Sequence, residues 1–267
     1  MAKPVKTGTI EANGTRLYYE LRGEGPSLLF VSGAEGDAEE WARVAPLLDD
    51  EFAVLSYDRR GFSRSQKPLG GAGTSVEEQA DDAAALLSAL NMAPAAVWGN
   101  SSGALISLGL VLRHPEAVMK AMLHEPPVFA GIRDLPQVLA FLRENCAQGK
   151  VQFLRMFFGS EVYDGFSADY RARLQADETW ICHEFDKLEY YRPTDEELSK
   201  VKKPVVLLFG EDSPPFFGEV ATWLAGRLGN AEVSTIPGDH GVHYRHPEEV
   251  AKAIRKLMLA VDESRRA

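Results

Sequence analysis

Apolar and polar positions along this 267-residue chain alternate between two periods. Short runs such as Leu28-Leu29-Phe30-Val31 and Val205-Val206-Leu207-Leu208-Phe209 are apolar throughout, as expected of parallel strands covered on both faces. The pattern predicts buried strands over Ser27–Ser32, Phe52–Tyr57, Ala95–Trp98, Ala121–His124, Pro204–Phe209 and Ala231–Ile236. Ahead of them, Thr9–Ala12 and Arg16–Leu21 flank Asn13-Gly14, a strong hairpin signal. Helical periodicity intervenes at Val76–Leu90, Ser102–Arg113, Phe216–Leu228 and Pro247–Leu259. The last begins with proline in the first turn and Glu248-Glu249 near its positive end. Alternating strands and helices predict an α/β fold with a mostly parallel sheet.

One block breaks that rhythm. Pro127–Ser199 shows helical periodicity and no convincing strand, and it holds 12 of the chain's 25 aromatic residues in 73 positions. An extra helical layer with its own small core accounts for this. A helical cap (127–199) over an apolar pocket accounts for it too and is favoured, since small ligands are held in such pockets. The remaining residues, 1–126 and 200–267, then form the core.

Between the predicted strand Ala95–Trp98 and the helix from Ser102 stands Gly99-Asn100-Ser101-Ser102-Gly103. This is the Gly-x-Ser-x-Gly nucleophile elbow in its strand–turn–helix setting. The turn is so tight that the residues two before and two after the serine must lack a Cβ. Ser101 is thereby presented at a helix N-terminus, whose free N–H groups favour developing negative charge. A serine hydroxyl is a poor nucleophile at neutral pH and needs a base. Of six histidines, His114 sits at a helix end, where a structural role is expected, and His183 lies in the inserted block. His240, His243 and His246 cluster between the last strand and last helix. Their spacing is no familiar zinc pattern and no cysteine supports it, so no metal is expected. His240 is the candidate base, because it lies nearest the carboxyl end of the last strand, the edge where open parallel sheets bind ligands. An oxyanion hole needs two backbone N–H groups, expected from Ser102 and from Ala34 in the loop Ser32-Gly33-Ala34-Glu35-Gly36-Asp37. Glu35 and Asp37 are expected to point outward or to bond the loop, since they would otherwise repel an oxyanion.

Composition narrows the partners. A net charge of −10 and 45% hydrophobic residues suit a globular protein and argue against nucleic acid. No segment is apolar for long enough to span a bilayer, and the first residues lack a secretory signal's apolar core. Cys146 and Cys182, isolated in mid-chain, read as free buried thiols, which makes a reducing cytoplasm the expected location.

With these elements on the page, the chain resembles the α/β-hydrolases, through the elbow, the Asp58-Arg-Arg-Gly-Phe-Ser-Arg-Ser65 loop and the late histidine. Val97-Trp98-Gly99-Asn100-Ser101-Ser102-Gly103-Ala104, followed by Met122-Leu123-His124-Glu125-Pro126-Pro127, is similar to the zearalenone lactone hydrolases. That resemblance implies an eight-stranded, mostly parallel sheet, no cofactor, and hydrolysis of an ester or lactone through an acyl-enzyme. Where the family carries His-Gly in the loop after the third strand, this chain has Ser32-Gly33. Most of the superfamily places the triad acid after the seventh strand, where Asp212 stands one residue early. The lactone hydrolases place it in the His-Glu-Pro segment, which is Glu125 here and the preferred candidate. Trp180, Gly33 and Phe129 are candidate contacts to a largely apolar small molecule. Cleavage of carbon–carbon bonds, perhydrolysis and a non-catalytic small-molecule receptor are the alternatives, and the oligomeric state is left open, a homodimer included.

Overall fold

The computed structural model describes residues 4–67, 74–176 and 191–266. Eight strands form one sheet: β1 (Lys6–Ala12), β2 (Thr15–Arg22), β3 (Ser27–Val31), β4 (Ala53–Tyr57), β5 (Ala95–Asn100), β6 (Val118–His124), β7 (Val205–Gly210) and β8 (Ala231–Ile236). Their order across the sheet is β1-β2-β4-β3-β5-β6-β7-β8. The first two strands pair antiparallel, β2 pairs antiparallel with β4, and every other neighbour is parallel. The expected mostly parallel eight-stranded sheet is therefore present. Asn13 and Gly14 both take positive φ, 48° and 68°, and Ala12 pairs with Thr15 across them. That is the two-residue turn whose twist matches the strands.

Because strand side chains alternate, each all-apolar strand serves two cores. Leu29, Val31, Val97, Leu123 and Leu207 enter one cluster, shared with helices α1 (Val76–Ala89) and α2 (Ser102–Arg113). Leu28, Phe30, Trp98, Met122 and Leu208 enter the other, shared with Trp41, Val44, Val250 and Ile254. The Ser75 hydroxyl opens α1 by accepting from Glu78 N at 3.1 Å, an N-cap.

Between β6 and β7 the described residues contain helices and no strand: α3 (Leu135–Ala147), α4 (Lys150–Phe158), α5 (Ser160–Asp164), α6 (Ala168–Ala176) and α7 (Asp195–Ser199). After β7 come α8 (Pro215–Ala225), the short α9 (Val242–Arg245) and α10 (Pro247–Arg266). Expected helix ends shift in both directions. α8 stops before Gly226, three residues short of Leu228, whereas α10 runs on to Arg266. Cys146 is disulfide-bonded, not the free thiol expected, which removes that premise for a reducing location; Cys182 lies outside the described residues. No helix among the described residues is long and apolar enough to cross a membrane.

Candidate active site

Strands β5 and β6 are neighbours, and the chain turns sharply after each. Ser101 follows β5 with φ 54° and ψ −125°, and Glu125 follows β6 with φ 53°. Both are left-handed conformations that cost a non-glycine residue roughly 1–3 kcal/mol and collect at functional sites. The turns are held by Ser101 N donating to His124 O and Glu125 N to Leu208 O, each at 2.9 Å. The elbow also demands close approach. A Cβ on Gly99 would stand 2.4 Å from Gly103 O, and one on Gly103 would stand 2.2 Å from Val31 O. Both glycines meet the steric demand read from the motif.

The Glu125 carboxylate is fully buried. Its Oε1 accepts from Gly210 N at 2.8 Å and its Oε2 lies 2.5 Å from His240 Nδ1. Asp212, by contrast, is exposed in the turn after β7, where its N–H donates to Gly238 O; among the described residues its carboxylate has no bond to His240. The imidazole of His240 stacks with Phe217, at 5.1 Å and 12°, and with Phe158, at 6.3 Å and 8°. With Nδ1–H donated to Glu125, the lone pair at Nε2 is left to receive a proton. Burial alone raises the Glu125 carboxyl, yet flanking His124 and the His240 hydrogen bond hold it down at about 2. Burial pushes His124 down to about 4, so near neutral pH it is uncharged.

Ser101 and His240 line one cavity. Its other lining residues are apolar: Ala34 from the loop after β3, Phe129, Phe157 and Phe158 from the inserted helices, and Phe216 and Phe217 from α8 among them. Among the described residues no hydrogen bond joins the Ser101 hydroxyl to the imidazole. Ser102, the first residue of α2, has an N–H with no acceptor inside the helix. Gly33 is not among the lining residues: it sits beneath the elbow, where a Cβ would stand 3.3 Å from Ser101 Cβ. Trp180 and His183 lie outside the described residues.

Neither acidic residue of the loop after β3 points outward. Asp37 is buried and accepts from Glu39 N at 2.8 Å, as the expected bond to the loop. It also pairs with Arg64 at 2.9 Å and with Arg173 of α6 at 2.7 Å. Glu35 is buried as well, but its partner is Tyr244, whose hydroxyl donates to it at 3.0 Å. Burial raises Glu35 toward its neutral form, which lessens the repulsion an oxyanion would feel. His114 bonds Asp81 at 2.7 Å, the structural role expected of it. Among the described residues no group of three or more His, Cys, Asp or Glu side chains is placed to hold a metal.

Sequence reasoning names Phe129 but not the other phenylalanines of the cavity wall as contacts, nor the buried side chains Glu40 and Arg59. The walls had a signal, since Phe153, Leu154, Phe157 and Phe158 repeat at helical spacing. Nothing marks a charged side chain as buried before the fold is known.

Comparison with known proteins gives the family. Residues 26–247 match the model of the alpha/beta hydrolase fold family. The uncharacterized hydrolase YraK of Bacillus subtilis (strain 168) is 30% identical over 262 residues, covering 95% of this chain and 96% of that protein. A zearalenone hydrolase of Bionectria ochroleuca is 28% identical over 258 residues, covering 91% and 93%. Among solved structures, Est816, described as an N-acyl homoserine lactone degrading enzyme, superposes with a TM-score of 0.75 at 24% identity, covering 93% of this chain and 99% of that one. The chain belongs to the α/β-hydrolase fold family.

Proposed function

We propose that this hydrolase cleaves uncharged carboxylic esters or lactones, with Ser101 as nucleophile, His240 as base and Glu125 as the acid that orients it. Ser101 attacks the carbonyl as His240 Nε2 takes its proton, and Glu125 stabilises the imidazolium. Ala34 and Ser102 N–H groups take the oxyanion. His240 then protonates the leaving alkoxide, and water drawn by the same imidazole releases the acid. The inserted helices serve as a cap, with α4 roofing the cavity and Phe129 among its contacts to substrate. One observation carries the reading: the 2.5 Å contact between His240 Nδ1 and Glu125 Oε2 stands at a cavity whose polar lining residues are Ser101 and His240. A site so lined holds an apolar guest by area and offers polar chemistry at one point. The 28% identical relative named a zearalenone hydrolase supports lactones among the substrates, zearalenone being a macrocyclic lactone.

The test pairs a fluorophosphonate probe with a panel of aryl esters, small lactones and resorcylic macrolactones. Ser101 should be labelled, and Ser101→Ala should lose about 10³-fold or more in kcat. An unlabelled Ser101 together with no turnover across the panel would overturn the hydrolytic reading in favour of a small-molecule receptor.

A further inference from the structure

One peptide unit links Gly33 to Ala34, and it carries both the Ala34 N–H and the Gly33 carbonyl. The bond is not among the cis peptides, and in a planar trans peptide N–H and C=O point in opposite directions. Whatever holds the Gly33 oxygen therefore aims the Ala34 N–H. That oxygen accepts from Gly36 N at 3.1 Å, which closes the turn, and from Arg59 Nη2 at 2.8 Å. Arg59 is 1% exposed. Its guanidinium lies 4.3 Å from the Phe62 ring centre, and its Nη1 donates to Gln79 at 2.5 Å. The preceding peptide is gripped as well, because Gly33 N donates to Glu40 Oε2 at 2.8 Å. The other Glu40 oxygen faces Asn100 Nδ2, one residue before Ser101, at 3.5 Å. Gly33 thus meets a buried carboxyl on its N–H and a buried guanidinium on its carbonyl, directly under the elbow.

We propose that Arg59 is a positioning residue for the oxyanion hole: bonded to Gly33 O, it sets the direction of Ala34 N–H and polarises that peptide, while Glu40 holds the peptide before it. Gly36 N holds the same carbonyl, and to that anchoring Arg59 adds a second, shorter bond and a charge. A cationic donor on a carbonyl draws electron density through the conjugated amide, which strengthens the N–H on its far side. The inference rests on Ser101 acting as the nucleophile.

The test compares kcat/KM for an aryl ester and for the same ester with sulfur in place of the carbonyl oxygen. Sulfur is a weak hydrogen-bond acceptor, so the ratio of the two reports the strength of the hole. In Arg59→Met the oxygen ester should lose on the order of 10²-fold, chiefly in kcat, the magnitude of losing one oxyanion donor. The sulfur ester should lose far less, so the ratio falls by about tenfold or more. Glu40→Gln, which keeps an acceptor for Gly33 N, should retain most of the ratio. If Arg59→Met does not fold, Arg59→Lys, which keeps a cation but loses the fork, is read on the same ratio. Equal losses on both esters in a folded variant would overturn the proposal and leave Arg59 a purely structural residue. Failure of the wild-type protein to label at Ser101 is a separate result that overturns the reading beneath it.

Discussion

At the scale of single residues, the site turns on which carboxylate meets the imidazole. Glu125 makes that contact and Asp212 stands exposed in its turn. Glu125→Ala should therefore lower kcat on an activated ester by about 10³–10⁴-fold, while Asp212→Ala changes it less than about threefold; steady-state kinetics on the two variants decide it. His243 carries a second prediction. It is 1% exposed, packed on Trp41 and Phe158, and both ring nitrogens lack a hydrogen bond. Glu40 Oε1 stands 3.5 Å from its Nε2, but burial pushes that carboxyl toward its neutral form. Burial holds His243 well below its usual value, so the unfolded chain takes up a proton that the folded one refuses as pH falls below about 6.5. Stability should drop across that range by up to about 1.4 kcal/mol per pH unit from this group. His243→Phe should raise the melting temperature, and by more at pH 5 than at pH 8. Ser101 and His240 are legible in the sequence because motif and chain order place them. The choice between Glu125 and Asp212 is not, since both end strands at the same edge and only the turn at Glu125 settles which one reaches the ring. Arg59 and Glu40 are less legible still, because the direction a charged side chain takes is a tertiary fact.

Elements were more readable than their ends. All eight strands could be found because each carries an apolar run or an alternation that only a sheet explains, and the hairpin turn announced itself through Asn13-Gly14. Helix ends were missed where the deciding interaction is a cap or a packing contact and not a change of pattern, as at Gly226. The inserted block could be read as helical, but its attachment could not. α6 reaches across to the segment after β3 through Arg173 with Asp37 and Glu39, and Ser167, just before α6, bonds Glu39. α4 presents Phe153, Leu154, Phe157 and Phe158 to the cavity. Removing one ring from that helix should change what fits. Phe157, 5.2 Å from the His240 ring, is the place to do it. Phe157→Ala should shift the preference toward bulkier acyl or alcohol groups by about tenfold in relative kcat/KM, measured on a homologous ester series.

For the molecule as a whole, charge and cavity act together. The chain carries a net charge of −10, and no cation lines the cavity among the described residues. An ester with an appended carboxylate should be cleaved about 100-fold less efficiently than its neutral counterpart, because its charge loses water and gains no partner. Added salt should partly relieve the long-range repulsion for the anionic ester and leave the neutral one unchanged; kcat/KM across an ionic-strength series tests both. The same greasy wall bears on how a catalytic cycle ends. On the proposed reaction, hydrolysis would turn a guest the chamber tolerates into an ionised acid that it has nothing to greet with. Eviction of that acid is then built into the lining itself, and the free acid should be a feeble inhibitor at neutral pH and a stronger one when acidified.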